Sequence, residues 1–304
     1  MYDLIIIGAG PAGITASIYA ARKKMDLLVI SEDIGGQTAI SGSIENYTGY
    51  QFITGPELTA KFEEHLRQFG ITLKEGEAVG NIQKTGNIIK ITTDKGAYEA
   101  RAVIIASGAK SRQLNVPGEK EFKNKGLTYC ATCDAPLFKG RDVAVIGGGN
   151  SGLDATLQLM KIAKFIYLIN IAPSLTGDPV MQEKVLASKM VKVMNNTQVT
   201  AILGDNFVSA IKVKQGAKEE VLAVGGVFVE IGLIPNSEFA HELEKNKAGE
   251  IIVNFSNETN IPGIFSAGDV TNVPEKQIII AAGEGSKACL SAFRYLAQHE
   301  IREG

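Results

Sequence analysis

Two cysteines, Cys130 and Cys133, stand three residues apart in Cys130-Ala131-Thr132-Cys133 and are followed directly by an acid, Asp134. In a reducing compartment a Cys-x-x-Cys pair either cycles between dithiol and disulfide or supplies half of a metal site. A zinc site needs about four ligands. The sequence holds no second such pair, and its histidines, His65, His241 and His299, are scattered. The redox reading is therefore the stronger one, and small polar neighbours with an adjacent carboxylate suit an accessible thiol of adjustable pKa. The third cysteine, Cys289, falls in a helical pattern and is expected to be a packed small residue.

A second chemistry, pyrophosphate binding, is written twice. Residues 3–22 read DLIIIGAGPAGITASIYAAR and residues 142–161 read DVAVIGGGNSGLDATLQLMK. In each, a β-branched apolar run meets Gly-x-Gly-x-x-Gly and then a helical pattern of small and apolar residues. Gly8, Gly10 and Gly13 would give the tight turn, the close backbone approach to a pyrophosphate and the packing of helix on strand. Gly147, Gly149 and Gly152 repeat the set, and in both units a helix N-terminus faces the anion. Glu32, after the second strand, stands where a carboxylate accepts ribose hydroxyls. Two dinucleotide sites follow. A resident flavin and an exchanging nicotinamide is the economical pairing, because FAD accepts a hydride and passes electrons to a disulfide; a second turn kept only as scaffold is the alternative.

The elements that must hold these residues are buried parallel strands and covering helices. DLLVI (26–30) and AVIIASG (102–108, ending at Gly108) complete the first unit, with a hairpin around 81–99 turning near Gly86-Asn87. FIYLI (165–169), a hairpin-like region at 197–222 and GVFVEIG (226–232) continue the second, after which IIVN, GIFSAGD and a helix at about 277–297 return to the first. The expected fold is α/β, two Rossmann-like dinucleotide-binding domains: an FAD domain of residues 1–115 plus 248–304, and an inserted NAD(P)-type domain of residues 116–247 carrying the redox cysteines. A length of 304 residues accommodates two domains. A net charge of −2 without any basic tract removes the basis for nucleic-acid binding. No apolar run approaches the roughly 18 residues of a membrane span, and no basic leader precedes the first strand, so a cytoplasmic protein without a membrane partner is expected.

Taken together, GAGPAG, GGQ (35–37), ENY (45–47), CATCD, GGGNSG, VFVEIG with Pro235-Asn236, and SAGD (266–269) resemble the low-molecular-weight thioredoxin reductase family over the whole chain. KQIIIAAGEGSKACLSA (276–292) and Ala135-Pro136-Leu137-Phe138 look more like the flavoprotein subunit of alkyl hydroperoxide reductase, whose extra N-terminal domain this sequence is expected to lack. The resemblance implies that Cys133 faces the flavin, that Cys130 attacks a partner disulfide, and that Asp134 moves protons where larger disulfide reductases use histidine. It also implies that Pro11, Ala12, Gly35, Gly36, Gln37, Asn46, Gly108, Gly268, Asp269 and Gln277 line FAD, and that Asn150 and Ser151 join the second turn's glycines at the nicotinamide cofactor. A homodimer, a thioredoxin- or glutaredoxin-like substrate, and rotation of one domain against the other, with hinges at 118–126 and 245–249, complete what it implies.

One stretch departs from the family pattern. NADPH-dependent members carry arginines just after the second strand of the inserted domain, whereas residues 170–178 here, NIAPSLTGD, hold no cation, and neutral Asn170 occupies the strand end. NADH is therefore expected over NADPH, with Asn170 as the ribose partner. A ferredoxin-type donor, a small-molecule dithiol oxidase and a flavin redox-sensing module are the competing readings.

Overall fold

A computed structural model describes residues 1–299, so residues 300–304, the end of the expected FAD domain, lie outside the described residues. The chain divides into two compact units, Met1–Lys110 with the segment from Ile234 onward, and Ser111–Leu233. The second boundary thus falls well before the expected 247/248. Ala240 and Leu243 explain the difference: both are buried in the first unit's core against Ile251 and Ile264, so the chain has already rejoined that unit.

In the first unit the strand Tyr2–Ala9 lies between Leu27–Ile34 and Ala97–Ile105, parallel to both. Thr72–Glu75 extends the sheet on one side. Ile88–Thr93 and Val79–Thr85 add an antiparallel pair on the other, turning at Gly86 with φ +60°. Ile264–Ser266 pairs in parallel with the end of Ala97–Ile105. Because side chains alternate across a strand, Leu4, Ile6 and Ile104 pack under the helices Pro11–Arg22 and Ile278–Gln298, while Ile5, Ile7 and Ile105 face Ile82, Ile89 and Ile91. Cys289 is wholly buried in the first of these cores, and burial pushes its thiol up to about 12, as expected of a packing residue.

The second unit has a five-stranded parallel sheet in the order Leu127–Thr128, Gly226–Val229, Asp142–Ile146, Phe165–Ile169, Val191–Met194. The helix Asn150–Leu159 covers one face through Leu153, Ala155 and Leu159. A three-stranded antiparallel sheet, Thr197–Gly204, Val208–Gln215 and Lys218–Ala223, covers the other through Val199, Ile202 and Ile211.

The stretches expected as hinges are packed instead. A Cβ at Gly118 would lie 2.1 Å from the Ile202 carbonyl oxygen, and Phe122 is buried among Ile202 and Val208. Residues 245–249 are tied by a bridge from Lys245 to Ile251 and by the Asn246 side chain, which accepts from the amides of Ala248 and Glu250. The connecting strands Ala109–Ser111 and Leu233–Pro235 pair with each other. Among the described residues no helix is long and apolar enough to cross a membrane.

Candidate active site

Cys130 and Cys133 form a disulfide across the one-turn helix Ala131–Asp134, with their Cα atoms 5.3 Å apart. That helix runs into a second short turn, Ala135–Phe138, whose Phe138 ring packs edge-on against Phe228 and anchors the redox segment to the parallel sheet. The amide of Cys133 donates to Cys130 Sγ at 3.2 Å, a contact that favours negative charge on that sulfur when the bond opens.

Asp134 lies close by in three dimensions as well as in sequence. Its carboxylate accepts a short hydrogen bond from the Thr128 hydroxyl, and Thr128 Oγ1 in turn accepts the Cys130 amide at 3.1 Å. Burial pushes the Asp134 carboxyl above the usual carboxylate range, opposed by the Thr128 bond.

The second glycine turn follows directly. Gly147 has φ +136°, and a Cβ there would sit 2.1 Å from the Glu230 carbonyl; one at Gly152 would sit 1.9 Å from Gly147 O. Gly149 is nearly open, with Thr176 Oγ1 the only neighbour of such a Cβ, at 3.9 Å. No side chain caps the helix N-terminus at Gly149, and Ser151 is exposed in its first turn. Asn150 is engaged by its own chain, its Oδ1 accepting the Asp178 amide at 2.7 Å.

Asn170 does not stand as the sequence suggests. It is only 4% exposed, its amide nitrogen donates to Ala172 O, Ser174 O and Asn195 Oδ1, and its oxygen accepts the Ala172 amide. Both amide hydrogens are committed to acceptors that shape the loop, which leaves neither for a ribose oxygen. Asn170→Asp is therefore expected to set a carboxylate against three acceptors and to destabilise the second unit by roughly 2–4 kcal/mol, read as a fall in thermal midpoint; an unchanged midpoint would mean that these bonds do not hold the loop.

The first unit carries most of the remaining expected residues at or just beyond the carboxyl ends of its parallel strands. Gly8 has φ +104°, and a Cβ there would lie 2.3 Å from Ala106 O; at Gly13 it would lie 1.8 Å from Gly8 O. At Gly10 it would meet nothing within 4 Å. Pro11 opens the following helix, Ala12 is buried, and no side chain caps that helix either. Gly35 and Gly36 adopt positive φ and bring Gly36 up to Gly10, its hypothetical Cβ 3.7 Å from the Gly10 Cα, with Gln37 next along the turn. Glu32 is exposed in the second strand. Asn46 Nδ2 donates to Gln277 Oε1 at 3.0 Å, joining the 45–47 segment to the start of the last helix. Gly268, at φ +77°, packs against Ala12, and burial raises the Asp269 carboxyl while Lys276 opposes the rise. Gly108, at φ +70°, accepts the Asn236 amide and is open on the side a Cβ would take.

The sequence profile of the pyridine nucleotide-disulphide oxidoreductases matches residues 2–285. The chain belongs to that family. Its place within the family is the low-molecular-weight thioredoxin reductase branch, since the thioredoxin reductase of Streptococcus pyogenes superposes with a TM-score of 0.92 at 36% identity, over 98% of this chain and 99% of that one. The F subunit of the Staphylococcus aureus alkyl hydroperoxide reductase is 41% identical over 302 residues, and a Ferdinandcohnia aciditolerans protein named NADH dehydrogenase is 42% identical over 302. This chain spans 60% and 58% of those two relatives. Pyridine nucleotide-disulphide oxidoreductases of this branch are FAD enzymes with two dinucleotide-binding domains and a redox cysteine pair. The first unit fits that cofactor: an uncapped helix N-terminus, an open face at Gly10, and a glycine turn at 35–37 brought against it.

Thr128 and Glu230 are not singled out by their sequence context. Glu230 carries one faint signal, because GVFVEIG ends a buried strand with an acid, and a charge there needs a partner. That partner is the Ala131 amide, which donates to Glu230 Oε1 at 3.1 Å.

Proposed function

We propose that the protein is an FAD-dependent reductase of protein disulfides, taking electrons from NADH and passing them through Cys133 and Cys130 to a thioredoxin- or glutaredoxin-like partner. The observation that carries this reading is the disulfide itself, followed directly by the buried carboxyl of Asp134 and placed shortly before the second glycine turn. When bound in the first unit, FAD supplies a two-electron acceptor that takes a hydride and returns electrons to a disulfide. The Gly10 turn and the helix N-terminus beside it would hold the pyrophosphate; Asn46, Asp269 and Gln277 would line the rest.

The chain's own chemistry is thiol–disulfide exchange. The Cys130 thiolate, stabilised by the Cys133 amide, attacks one sulfur of the partner, forming a mixed disulfide and releasing a partner thiolate. Cys133 then attacks Cys130 Sγ, which releases the partner's second thiolate and closes the Cys130–Cys133 bond. Asp134, bonded to Thr128, would give up and recover the proton exchanged with the nearby thiol.

For the donor, two features support NADH. No lysine or arginine stands at 170–178 to meet a 2′-phosphate, whose near-double charge would be desolvated against neutral groups and Asp178; and one relative is named NADH dehydrogenase. Anaerobic stopped-flow titration of the yellow protein is expected to give a kcat/KM at least about tenfold higher for NADH than for NADPH, or roughly 1.4 kcal/mol. Bleaching by neither nucleotide at millimolar concentration, together with bleaching by a reduced ferredoxin, would overturn the NADH assignment and leave the second turn as scaffold. A homodimer is the assembly proposed, and sedimentation velocity tests it.

A further inference from the structure

Glu230 is the acid that the exchange chemistry above leaves unused, and its position is unusual. It follows the strand Gly226–Val229, its amide donates to Ile146 O, and its carbonyl packs against Gly147. The backbone is thus fixed to the second glycine turn, while the side chain reaches across to the amide of Ala131, the residue next to Cys130. A second chain of contacts runs beside it. Gln158 donates to Asp154 Oδ2 at 2.6 Å and to the Thr132 hydroxyl at 3.4 Å, so the helix behind the glycine turn also holds the residue before Cys133. Among the described residues neither Glu230 nor Asp154 forms an ion pair.

We propose that Glu230 is a positioning residue that sets the acidity of the reduced Cys130 thiol through the Ala131 amide and through its own charge. The inference rests on reading Cys130 as the attacking thiol. As a carboxylate, Glu230 places a negative charge beside Cys130, opposes ionisation of the thiol, and draws the Ala131 N–H away from it. As a neutral acid it relaxes both effects. The charged group that acts on it is Asp154 from the helix Asn150–Leu159; the redox turn that carries its partner Ala131 holds the cysteines and Asp134, and Thr128, Thr132 and Gln158, bonded to that turn or part of it, are neutral. Burial, opposed by the Ala131 bond and reinforced by repulsion from Asp154, pushes the Glu230 carboxyl up to about 7. Its switch therefore lies in the physiological range. Below that pH the acid is neutral and Cys130 ionises more readily; above it the carboxylate holds the thiol back.

The test is the pH dependence of Cys130 alkylation by iodoacetamide. It uses full-length, flavin-loaded protein pre-reduced with a phosphine, with the modified peptide counted by mass spectrometry. Glu230→Gln keeps an acceptor for the Ala131 amide and removes the charge. Alkylation of Cys130 at pH 7.5 is expected to rise at least about threefold over wild type, with the profile displaced to lower pH. Asp154→Asn is expected to move the Glu230-dependent inflection of the wild-type profile to lower pH, because repulsion on that carboxylate is relieved; it decides the matter if Glu230→Gln does not fold. Superimposable profiles for wild type and the folded variants would overturn the proposal and leave Glu230 a structural cap. The measurement needs no electron donor or partner. A displaced profile in a protein that reduces no disulfide would therefore refute the proposed function and leave this inference standing.

Discussion

Cys130→Ser is expected to lower reduction of a thioredoxin-like disulfide by at least about a thousandfold while leaving the fold and bleaching of the yellow protein by its donor unchanged. The reason is nucleophilicity. A serine hydroxyl at Cys130 would receive the same hydrogen bond from the Cys133 amide, but one hydrogen bond does not ionise an alcohol near neutral pH, and the thiolate is the attacking species in disulfide exchange. Loss of a group that acts as a unit with its neighbours typically costs three or more orders of magnitude.

The complementary variant has a different signature. In Cys133→Ser the Cys130 thiol still attacks, but no second thiol is present to resolve the product, so a covalent mixed disulfide with the partner should accumulate and be visible on a non-reducing gel. Cys289 does not confuse the count, because it is wholly buried with its thiol held protonated, and it should react only after unfolding. Wild-type turnover in Cys130→Ser, or the mixed disulfide appearing in that variant in place of the other, would reverse the roles assigned to the two sulfurs.

The other large effect separates two glycines that the sequence motif treats alike. At Gly10 the backbone is extended, with φ −80° and ψ −175°, and a methyl group would meet no protein atom within 4 Å. Gly10→Ala should therefore fold with a thermal midpoint close to that of wild type. It should nevertheless purify pale, because the methyl projects where a pyrophosphate must approach; overpacking by one methyl costs typically 1–3 kcal/mol, a weakening of FAD binding by roughly 5- to 150-fold.

Gly13→Ala is the opposite case. Its methyl would lie 1.8 Å from the Gly8 carbonyl oxygen, a backbone atom that cannot rotate away, so helix and strand must separate and the first unit is expected to lose roughly 3 kcal/mol or more. Flavin absorbance measured beside the apoprotein melting curve distinguishes the two mechanisms. Full FAD content in Gly10→Ala would remove the pyrophosphate from that turn. The same pair exists in the second unit, where Gly149 is nearly open and a Cβ at Gly152 would lie 1.9 Å from Gly147 O.

What the sequence by itself determined is the part of the molecule whose physics is local. A parallel strand, a glycine turn and a helix N-terminus are specified by about twenty adjacent residues, because the turn demands a positive φ at Gly8 or Gly147 and close backbone packing at Gly13 or Gly152. The cysteine pair is equally local, since three residues of separation place two sulfurs within bonding distance across one helical turn. Family, fold class and the redox centre are legible for that reason.

What only the tertiary structure decided depends on partners remote in the chain. Asn170 reads in sequence as a ribose partner, yet Asn195 and the carbonyls of Ala172 and Ser174 take its amide, and the Asn195 contact is set by the neighbouring strand Val191–Met194 rather than by anything near residue 170. Residues 234–247 read as part of the inserted domain, because only packing of Ala240 and Leu243 on Ile251 and Ile264 reveals which core they complete. Glu230 meets Ala131 across 99 residues, and no periodicity or motif signals such a pair. Hydrophobic patterning specifies which residues are buried but not against what; a buried polar group takes its meaning from the partner that the fold brings to it.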